Sequence, residues 1–424
     1  MLVRLIQSGL LALLALMPFH AFLTVWLGSL VGHRAILQGW KEALLVLLAG
    51  LAVALVVQQP AYLKRLHRPA IWAVMAMVAL GLLVTGITRP SLATVLFGAK
   101  SDYEYLWAFV LAIMVATPAF LRRALSIILA TAAVVISFGL LQVLVLPADF
   151  LTHFGYGPAT IQPYLVLDPA VSSLRFASTL GGPNQLGTYL IIPLSLALAV
   201  GWQQRRWWLW LMLPTGGLVL IHTYSRSAWL GAAMALMLAA LALIPPRRRA
   251  YGLLGLGALT ATAGVGVAWL IQQGGRLQYY LLHSSLVFHN QRGSDFQHLA
   301  SLRTGLQQLA TAPFGHGVGT AGPGVFYTGV GTIIEDYYLQ LGYETGALGL
   351  IGFVALIVIA ARELWRQAVA NPVAAGLWGA LIGISANALV LPVWTDSTTA
   401  LVFWIATGAV IGLGSAGRPH VTTD

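Results

Sequence analysis

The chain has 424 residues, of which 58% are hydrophobic and only 8% are charged, whereas a soluble domain carries about 25% charged residues. This composition excludes an ordinary soluble protein and indicates that lipid is the solvent. The absence of cysteine excludes disulfides, thiol chemistry and cysteine metal sites. The net charge of +11 is weak evidence for nucleic-acid binding, because basic residues in polytopic proteins mostly set orientation.

Apolar segments long enough to cross a bilayer recur along the whole chain. A spanning helix needs about 20 apolar residues, and the sequence predicts about 12 of them. In chain order they are residues 6–30, 43–58, 70–88, 104–121, 124–147, 184–201, 207–223, 227–244, 251–272, 346–363, 373–391 and 398–414. Residues 1–22 resemble a signal peptide, but no clear small-residue cleavage site follows, so we expect an uncleaved first span. The predicted fold class is an all-α, polytopic integral membrane protein.

The lysines and arginines separate into two groups when the predicted spans alternate across the membrane. Of the 23, 14 fall on the side of the N-terminus and concentrate in tight clusters within short loops. Those clusters include Lys64-Arg65, Arg122-Arg123, Arg205-Arg206 and Arg247-Arg248-Arg249. This positive-inside pattern predicts that their side is cytoplasmic. The other nine are scattered and need another explanation: Arg34, Lys41, Arg89, Lys100, Arg175, Arg226, Arg276, Arg292 and Arg303.

Two long loops, residues 148–183 and 273–345, are predicted on the outer side. Within the second loop, residues 294–312 have helical spacing of apolar side chains. We expect an amphipathic helix there that lies on the membrane surface or over the bundle. The chain therefore divides into nine spans over 1–272, the large polar loop 273–345, three spans over 346–414 and a disordered cytoplasmic tail, 415–424.

Arg226 and Arg303 are the first candidates for binding an anion. Arg226 stands between two apolar runs, where an ionised side chain usually has a partner and a function; the alternative is an interfacial arginine that snorkels to water. Arg303 precedes a glycine run that includes Gly317, and glycines let backbone N–H groups approach phosphate oxygens. An arginine on such a helix is equally typical of its solvated face.

Arg175 and Lys100 are two further cations with open interpretations. Arg175 precedes a Gly-Gly-Pro-Asn segment that begins the next helix, and it either contacts an anion or pairs with Asp168. Lys100, near Asp102, forms either a second cation site or part of an ordinary charged loop.

Glu335 and Asp336 form an adjacent acidic pair before the tenth span, in a chain with only 12 acids. A carboxylate at a bilayer edge suits a general base that deprotonates a hydroxyl. Asp336 is also a good helix N-cap, and the two roles can coexist. The 10 histidines are dispersed, so we expect no metal or cofactor, and His298 and His316 are expected to be structural or exposed.

Four motifs together resemble those of the O-antigen ligase and polymerase superfamily. They are Arg175 with Gly182-Pro183-Asn184-Gln185, Ser225-Arg226-Ser227-Ala228-Trp229-Leu230-Gly231, Arg303 with Pro313 and Gly315-His316-Gly317-Val318-Gly319, and Glu335-Asp336-Tyr337-Tyr338-Leu339-Gln340 with Glu344-Thr345-Gly346-Ala347-Leu348-Gly349. Each motif is weak alone, but their order and spacing make the set fairly specific. In one departure, the family's histidine and the following asparagine fall on Glu335 and Asp336, which leaves room for a polymerase as well as a ligase.

The resemblance implies a glycosyltransferase of the bacterial inner membrane whose donor is a glycan on undecaprenyl diphosphate. It implies that both outer loops are periplasmic, that residues 273–345 form the catalytic loop, and that no metal is used. Arg226 and Arg303 would neutralise the diphosphate with support from Arg175, and Glu335 would activate the acceptor.

The predicted acceptor is a hydroxyl of lipid A–core or of a second lipid-linked glycan. Further substrate-binding residues are predicted to be Lys100, Gly317, Asp336 and Tyr338. The rival interpretation is a transporter or flippase of an anionic lipid-linked substrate, which the lack of an internal sequence repeat disfavours.

Overall fold

Helices make up nearly all the regular structure in the part of the chain that the computed structural model describes, residues 1–166, 174–273, 294–329 and 331–414. In chain order they are α1 (Leu2–Leu16), α2 (His20–Val31), α3 (Arg34–Gln38), α4 (Trp40–Gln58), α5 (Pro69–Thr88), α6 (Leu92–Met114), α7 (Pro118–Leu144), α8 (Pro183–Gln204), α9 (Trp207–Ile221), α10 (Arg226–Leu243), α11 (Arg249–Gln273), α12 (Ser294–Thr311), α13 (Val325–Thr328), α14 (Tyr337–Ala368), α15 (Pro372–Asn387) and α16 (Ser397–Leu413). A short antiparallel hairpin joins β1 (Leu165–Val166) to β2 (Leu174–Arg175), with Leu165 opposite Arg175. The predicted all-α class is confirmed for these residues.

Seven helical stretches among the described residues are long and apolar enough to cross a membrane. They are Leu2–Val31, Trp40–Gln58, Pro69–Thr88, Pro118–Leu144, Pro183–Gln204, Arg226–Leu243 and Tyr337–Ala368. Three further apolar helices, α9, α15 and α16, are shorter. These helices fit a membrane protein, whereas the total of 12 spans stays a prediction. The tail 415–424, predicted to be disordered, lies outside the described residues.

The fourth predicted span, residues 104–121, differs most from the structure. Helix α6 begins 12 residues before it, and α7 begins inside it at Pro118. Proline is favoured at the first position of a helix because the N–H it lacks would have no intrahelical partner there. Lys100 and Asp102 lie within α6, so their assignment to a loop is wrong. In the sequence these charges suggested that no helix continues through this region. The residues that accommodate the charges lie elsewhere in the chain and are not apparent from the local sequence.

Two of the apolar helical stretches are interrupted. Pro18 separates α1 from α2, since a proline inside a helix removes a hydrogen bond and clashes with the preceding turn. Within α14, Gly346 has φ 73° and ψ −178°, a conformation that favours glycine. The freed N–H group of Ala347 donates to the carbonyl oxygen of Pro313 at 2.9 Å. This break coincides with the predicted start of the tenth span and sets apart the first segment of α14, Tyr337–Thr345.

Close backbone contact joins α10 to α15 in the middle of the bundle. A Cβ atom added to Gly383 would lie 2.2 Å from the carbonyl oxygen of Gly231. Small residues allow this approach, which matters in lipid because apolar side chains gain little by leaving an apolar solvent.

One end of the bundle, which we call the basic end, carries Arg65, Arg68, Arg205 and Arg206. The Arg65 guanidinium donates to the carbonyl oxygens of Met114 and Ala116 at 3.1 and 3.2 Å, at the end of α6. Arg68 donates to those of Ile411 and Gly412 at 2.5 and 3.1 Å, at the end of α16. Helix C-terminal carbonyls favour such cations. The N-termini of α4, α8, α14 and α16 consequently lie at the other end.

Helix α12 matches the predicted amphipathic helix, ending one residue earlier. Its Gly305 packs on Leu339 and its Leu309 on Gly342, in the first segment of α14. The adjacent face exposes apolar side chains: Leu299, Leu302 and Leu306. The location of this face at a membrane surface stays a prediction.

Candidate functional site

A cavity of about 760 Å³ lies at the end of the bundle opposite the basic end. Its walls come from α2, α3, α4, α6 and α8, the segment before α14, and the loop that leads into α16. The ionisable side chains among its lining residues are His20, Arg34, Lys41, Lys100, Glu335 and Asp396. The volume falls within the range of about 300–1,000 Å³ that is usual for ligand sites.

The cavity collects cations that the sequence left unexplained. Arg34, Lys41 and Lys100 belong to the scattered outer group, yet all three line this one space. They come from α3, α4 and α6, which are separated by up to 66 residues of sequence. Clustering around a shared cavity therefore accounts for positions that the positive-inside rule does not.

Two of these cations, Lys41 and Lys100, belong to a network of alternating positive and negative side chains in the cavity wall. Lys41 is 2% exposed and contacts Glu104 at 2.7 Å and Glu42 at 2.6 Å. Lys100 contacts the same Glu42 oxygen at 2.9 Å. Removing one member of the network would leave a buried charge without its partner, which costs free energy. The two lysines and two glutamates balance in formal charge, and Arg34 lines the cavity together with the acids Glu335 and Asp396, so the wall carries charges of both signs.

Glu335 supplies a carboxylate to the opposite wall. Its side chain is 35% exposed and contacts Nδ1 of His298 on α12. The Glu335 backbone N–H donates to Oγ of Ser301 at 2.9 Å, one helical turn further along α12. Helix α12 thus fixes both the backbone and the side chain of the predicted base.

Arg175 lies in a smaller pocket of about 240 Å³ that adjoins the main cavity. The two spaces share Thr160, Ile161 and Gly181 among their lining residues. The Arg175 guanidinium donates through Nη2 to Asn184 Oδ1 at 2.7 Å and through Nε to the Thr223 carbonyl oxygen at 2.8 Å. Its predicted alternative partner, Asp168, lies outside the described residues.

Arg226 begins α10, three residues after Thr223, whose carbonyl oxygen Arg175 binds. Burial lowers the pKa of the Arg175 guanidinium below its ordinary value, and the positive charge of Arg226 lowers it further. Two guanidinium groups close enough to repel each other suit a doubly charged anion, which would relieve the repulsion. The structure therefore brings together the two arginines of separate motifs.

Arg303 is exposed on α12 and is absent from the residues that line the two pockets. Helix α12 carries Arg303 two residues beyond Ser301, the residue that bonds Glu335. Two other cations of the same predicted loop, Arg276 and Arg292, lie outside the described residues. A role for Arg303 on a diphosphate stays a prediction.

Three predicted substrate-binding residues are engaged within the protein. Asp336 is the N-cap of α14, where its Oδ1 accepts the Leu339 N–H at 2.8 Å. Burial raises the pKa of Asp336, while hydrogen bonds from the Leu339 and Tyr338 N–H groups oppose that rise. The Tyr338 hydroxyl donates to the Ser385 carbonyl oxygen at 3.0 Å.

The third of these residues, Gly317, belongs to the glycine-rich loop 315–324, which turns inward. The Gly317 N–H donates to the Glu344 carbonyl oxygen at 2.8 Å. Neighbouring N–H groups of the loop are also occupied: those of His316, Val318 and Ala321 donate to Tyr343 O, Thr85 Oγ1 and Glu344 Oε1 at 2.9, 3.0 and 3.0 Å. These amides hold the loop against α5 and α14, so they do not form the phosphate cradle that the glycine run suggested.

Sequence reasoning missed Arg34, Lys41 and His298 as site residues. An acidic residue directly after Lys41 and a second one, Glu104, at the start of an apolar run were the available signals for a buried ion pair. His298 gave none, because its partner follows 37 residues later and no sequence pattern links the two positions.

The chain matches no protein-family model and no curated protein. Among the described residues, no three histidine, aspartate or glutamate side chains come together as a metal site requires.

Proposed function

We propose that this protein is a membrane glycosyltransferase that moves a glycan from undecaprenyl diphosphate to an acceptor sugar hydroxyl. It would act as a polysaccharide polymerase or as an O-antigen ligase. The observation that carries the proposal is the 760 Å³ cavity, which has Glu335 on one wall and Lys100 on another, beside the pocket of Arg175. A base, cations and an adjoining anion pocket are the parts that transfer from a diphosphate needs.

The proposed place for the diphosphate is the pocket of Arg175, with Arg226 beside it. Guanidinium groups bind phosphate oxygens in a bidentate manner and stay charged on burial. As the glycan leaves, negative charge grows on the diphosphate, and fixed cations stabilise that charge more than they stabilise the ground state. Arg303, which lines neither pocket, keeps its predicted role on the diphosphate as part of the proposal.

Glu335 is the proposed general base. It takes the proton of the acceptor hydroxyl while the acceptor oxygen bonds to the anomeric carbon, and the bond from that carbon to the diphosphate oxygen breaks. The leaving diphosphate keeps the bonding electrons. Lys100 and Arg34, which line the same cavity, would bind acidic groups or hydroxyls of the acceptor glycan.

The direction of the cavity supports an active site on the periplasmic face. Helices α4, α8 and α14 each have a residue at or next to their N-terminus in the cavity wall: Lys41, Asn184 and Glu335. Their other ends carry clustered arginines or lysines, which in a bacterial inner membrane mark the cytoplasmic side. A lipid-linked glycan on the opposite side is periplasmic.

The test is synthesis with purified protein and glycan on undecaprenyl diphosphate. One reaction contains the donor alone and a second adds lipid A–core, and products are sized on a gel. A ladder from the donor alone means a polymerase, and a single shifted lipid A–core band means a ligase. Arg175→Ala should abolish the product in either case, and the matched control Arg206→Ala, an exposed residue at the basic end, should not.

A transporter of the same lipid-linked substrate is the second candidate. The observation that favours it is the interrupted stretch Leu2–Val31, whose break at Pro18 lies two residues from His20 in the cavity wall. Interrupted helices are typical of transporter binding sites. Protein in liposomes that moves labelled donor across the bilayer and forms no glycosidic bond would support this candidate against the enzyme.

A further inference from the structure

Helix α12 holds Glu335 through two side chains on one of its faces. Ser301 Oγ accepts the Glu335 backbone N–H at 2.9 Å, and His298 Nδ1 contacts the Glu335 carboxylate. Positions three apart lie on the same face of a helix. Because Ser301 already fixes the backbone of this segment, the histidine is not needed to anchor it.

His298 contacts Glu335 on the side of the carboxylate that is away from the cavity. Glu335 lines the cavity, and His298 is absent from its lining residues although 28% of its side chain is exposed. The neighbouring Asp336 and Tyr338 are bonded to the Leu339 N–H and the Ser385 carbonyl oxygen. Glu335 therefore has the acceptor space on one side and a partly solvated imidazole on the other.

We propose, on the basis of the proposed function, that His298 is a positioning and proton-relay residue for Glu335. A carboxylate that accepts a proton in a confined site must release it before the next turnover. An imidazole is suited to this step, since its charge ordinarily changes between about pH 5 and 8 and it has two nitrogens. A carboxylate and an imidazole in contact are also the usual pairing in acid–base catalysis.

The acceptor O–H proton moves to the Glu335 carboxylate while the glycosidic bond forms and the carbon–diphosphate bond breaks. Glu335 then passes the proton to His298, and the imidazolium passes it to water. One proton is released for each bond made, the undecaprenyl diphosphate keeps the electron pair, and Glu335 and His298 return to their starting states.

The experiment measures kcat and KM of His298→Ala, with and without added imidazole. We expect kcat to fall at least about tenfold, less than the 10²–10⁴-fold that is typical for an acid–base group itself, with KM nearly unchanged. Free imidazole should enter the space left by the side chain, which is accessible from solvent, and restore kcat in a saturable manner. His153→Ala is the matched control, because His153 is exposed, its Nδ1 contacts the carbonyl oxygen of Phe150 three residues earlier, and it lines neither pocket.

The alternative results separate the relay from the proposed function. Full kcat in His298→Ala, or a lower kcat that imidazole does not restore, would overturn the relay while leaving the glycosyltransferase in place. If His298→Ala does not fold, His298→Gln keeps the volume and must show the same loss of kcat. A wild-type protein that forms no glycosidic bond would overturn the proposed function and this role together.

Discussion

Glu335 and Glu344 are nine residues apart at the start of one helix, yet their surroundings are opposite. Glu335 is 35% exposed, lines the cavity and contacts a histidine. Glu344 is 1% exposed, accepts the Ala321 N–H at 3.0 Å and lies near the buried carboxyl group of Asp102.

The difference teaches that an acid in a membrane-embedded chain is not by itself evidence of chemistry. The partners from other elements decide its role: α12 holds Glu335 next to an open space, whereas the glycine-rich loop 315–324 and α6 enclose Glu344. Burial costs a polar group free energy unless each of its atoms is paired. Glu344 accepts an internal N–H group and so holds the glycine-rich loop from within the protein, whereas Glu335 lines a cavity large enough for a ligand.

The largest effect is expected from Glu344→Ala, which tests the structural half of this comparison. The change leaves the Ala321 and Gly319 N–H groups buried without their acceptor, and each such loss costs about 1–3 kcal/mol. We expect little folded protein on size-exclusion chromatography in detergent. Glu363→Ala, which breaks a partly exposed pair with Arg366, is the control and should cost no more than about 1 kcal/mol. Normal yield and activity of Glu344→Ala would remove the distinction.

Glu335→Gln tests the other side of this comparison, the proposed role of Glu335 as the general base. Loss of a general base lowers kcat by about 10²–10⁴-fold, while glutamine keeps the size and the Ser301 contact is made by the backbone. We expect folded protein with an unchanged unfolding temperature and strongly reduced synthesis. Equal activity of Glu335→Gln and the wild type would contradict the assignment of Glu335 as the base.

Gly346→Ala tests the break in α14. This break separates the segment that follows Glu335 and contains Glu344 from the rest of the helix. A Cβ atom there would lie 2.4 Å from the Pro313 carbonyl oxygen, at a positive φ of 73°. Strain of this kind costs about 1–3 kcal/mol, so the unfolding temperature should fall while part of the activity remains. Gly50→Ala is the control, because nothing lies within 4 Å of the added atom. An unchanged unfolding temperature in Gly346→Ala would show that the break is not a stabilising feature.

The smallest effect is expected from Asp336→Asn, the residue next to Glu335. Asparagine caps a helix about as well as aspartate, so stability and kcat should both stay within about twofold of the wild type, whereas Asp336→Ala should lose about 1 kcal/mol. A tenfold rise in KM for Asp336→Asn would instead place this carboxylate on the substrate.

Much of the helical architecture followed from the sequence. The predicted start of the tenth span at residue 346 coincides with the break at Gly346, because a change from polar to apolar composition marks where a helix enters an apolar environment. The error at α6 has the opposite cause. Lys100, Asp102 and Glu104 are accommodated by Glu42, Glu344 and Lys41, and no local pattern reveals partners on other helices.

The candidate site was predictable only in part for the same reason. Glu335 and Arg175 were identified because each stands in a recognisable motif. Their surroundings come from α3, α4, α6 and α12, which meet only in the folded chain, so Arg34, Lys41 and His298 could not be assigned from spacing. Gly317 shows the converse: its motif suggested phosphate binding, whereas its N–H group holds the loop to Glu344.

The guanidinium groups of Arg65 and Arg68, bonded to the last carbonyls of α6 and α16, have a consequence for how this sequence can change over time. A charge that only instructs membrane insertion can drift along its loop or alternate with lysine at no cost. Arg65 and Arg68 cannot change in this way, because moving them would also remove the hydrogen bonds to the ends of two helices. Attempts to invert the protein in the bilayer by relocating its charges should therefore produce unstable chains before they produce inverted ones.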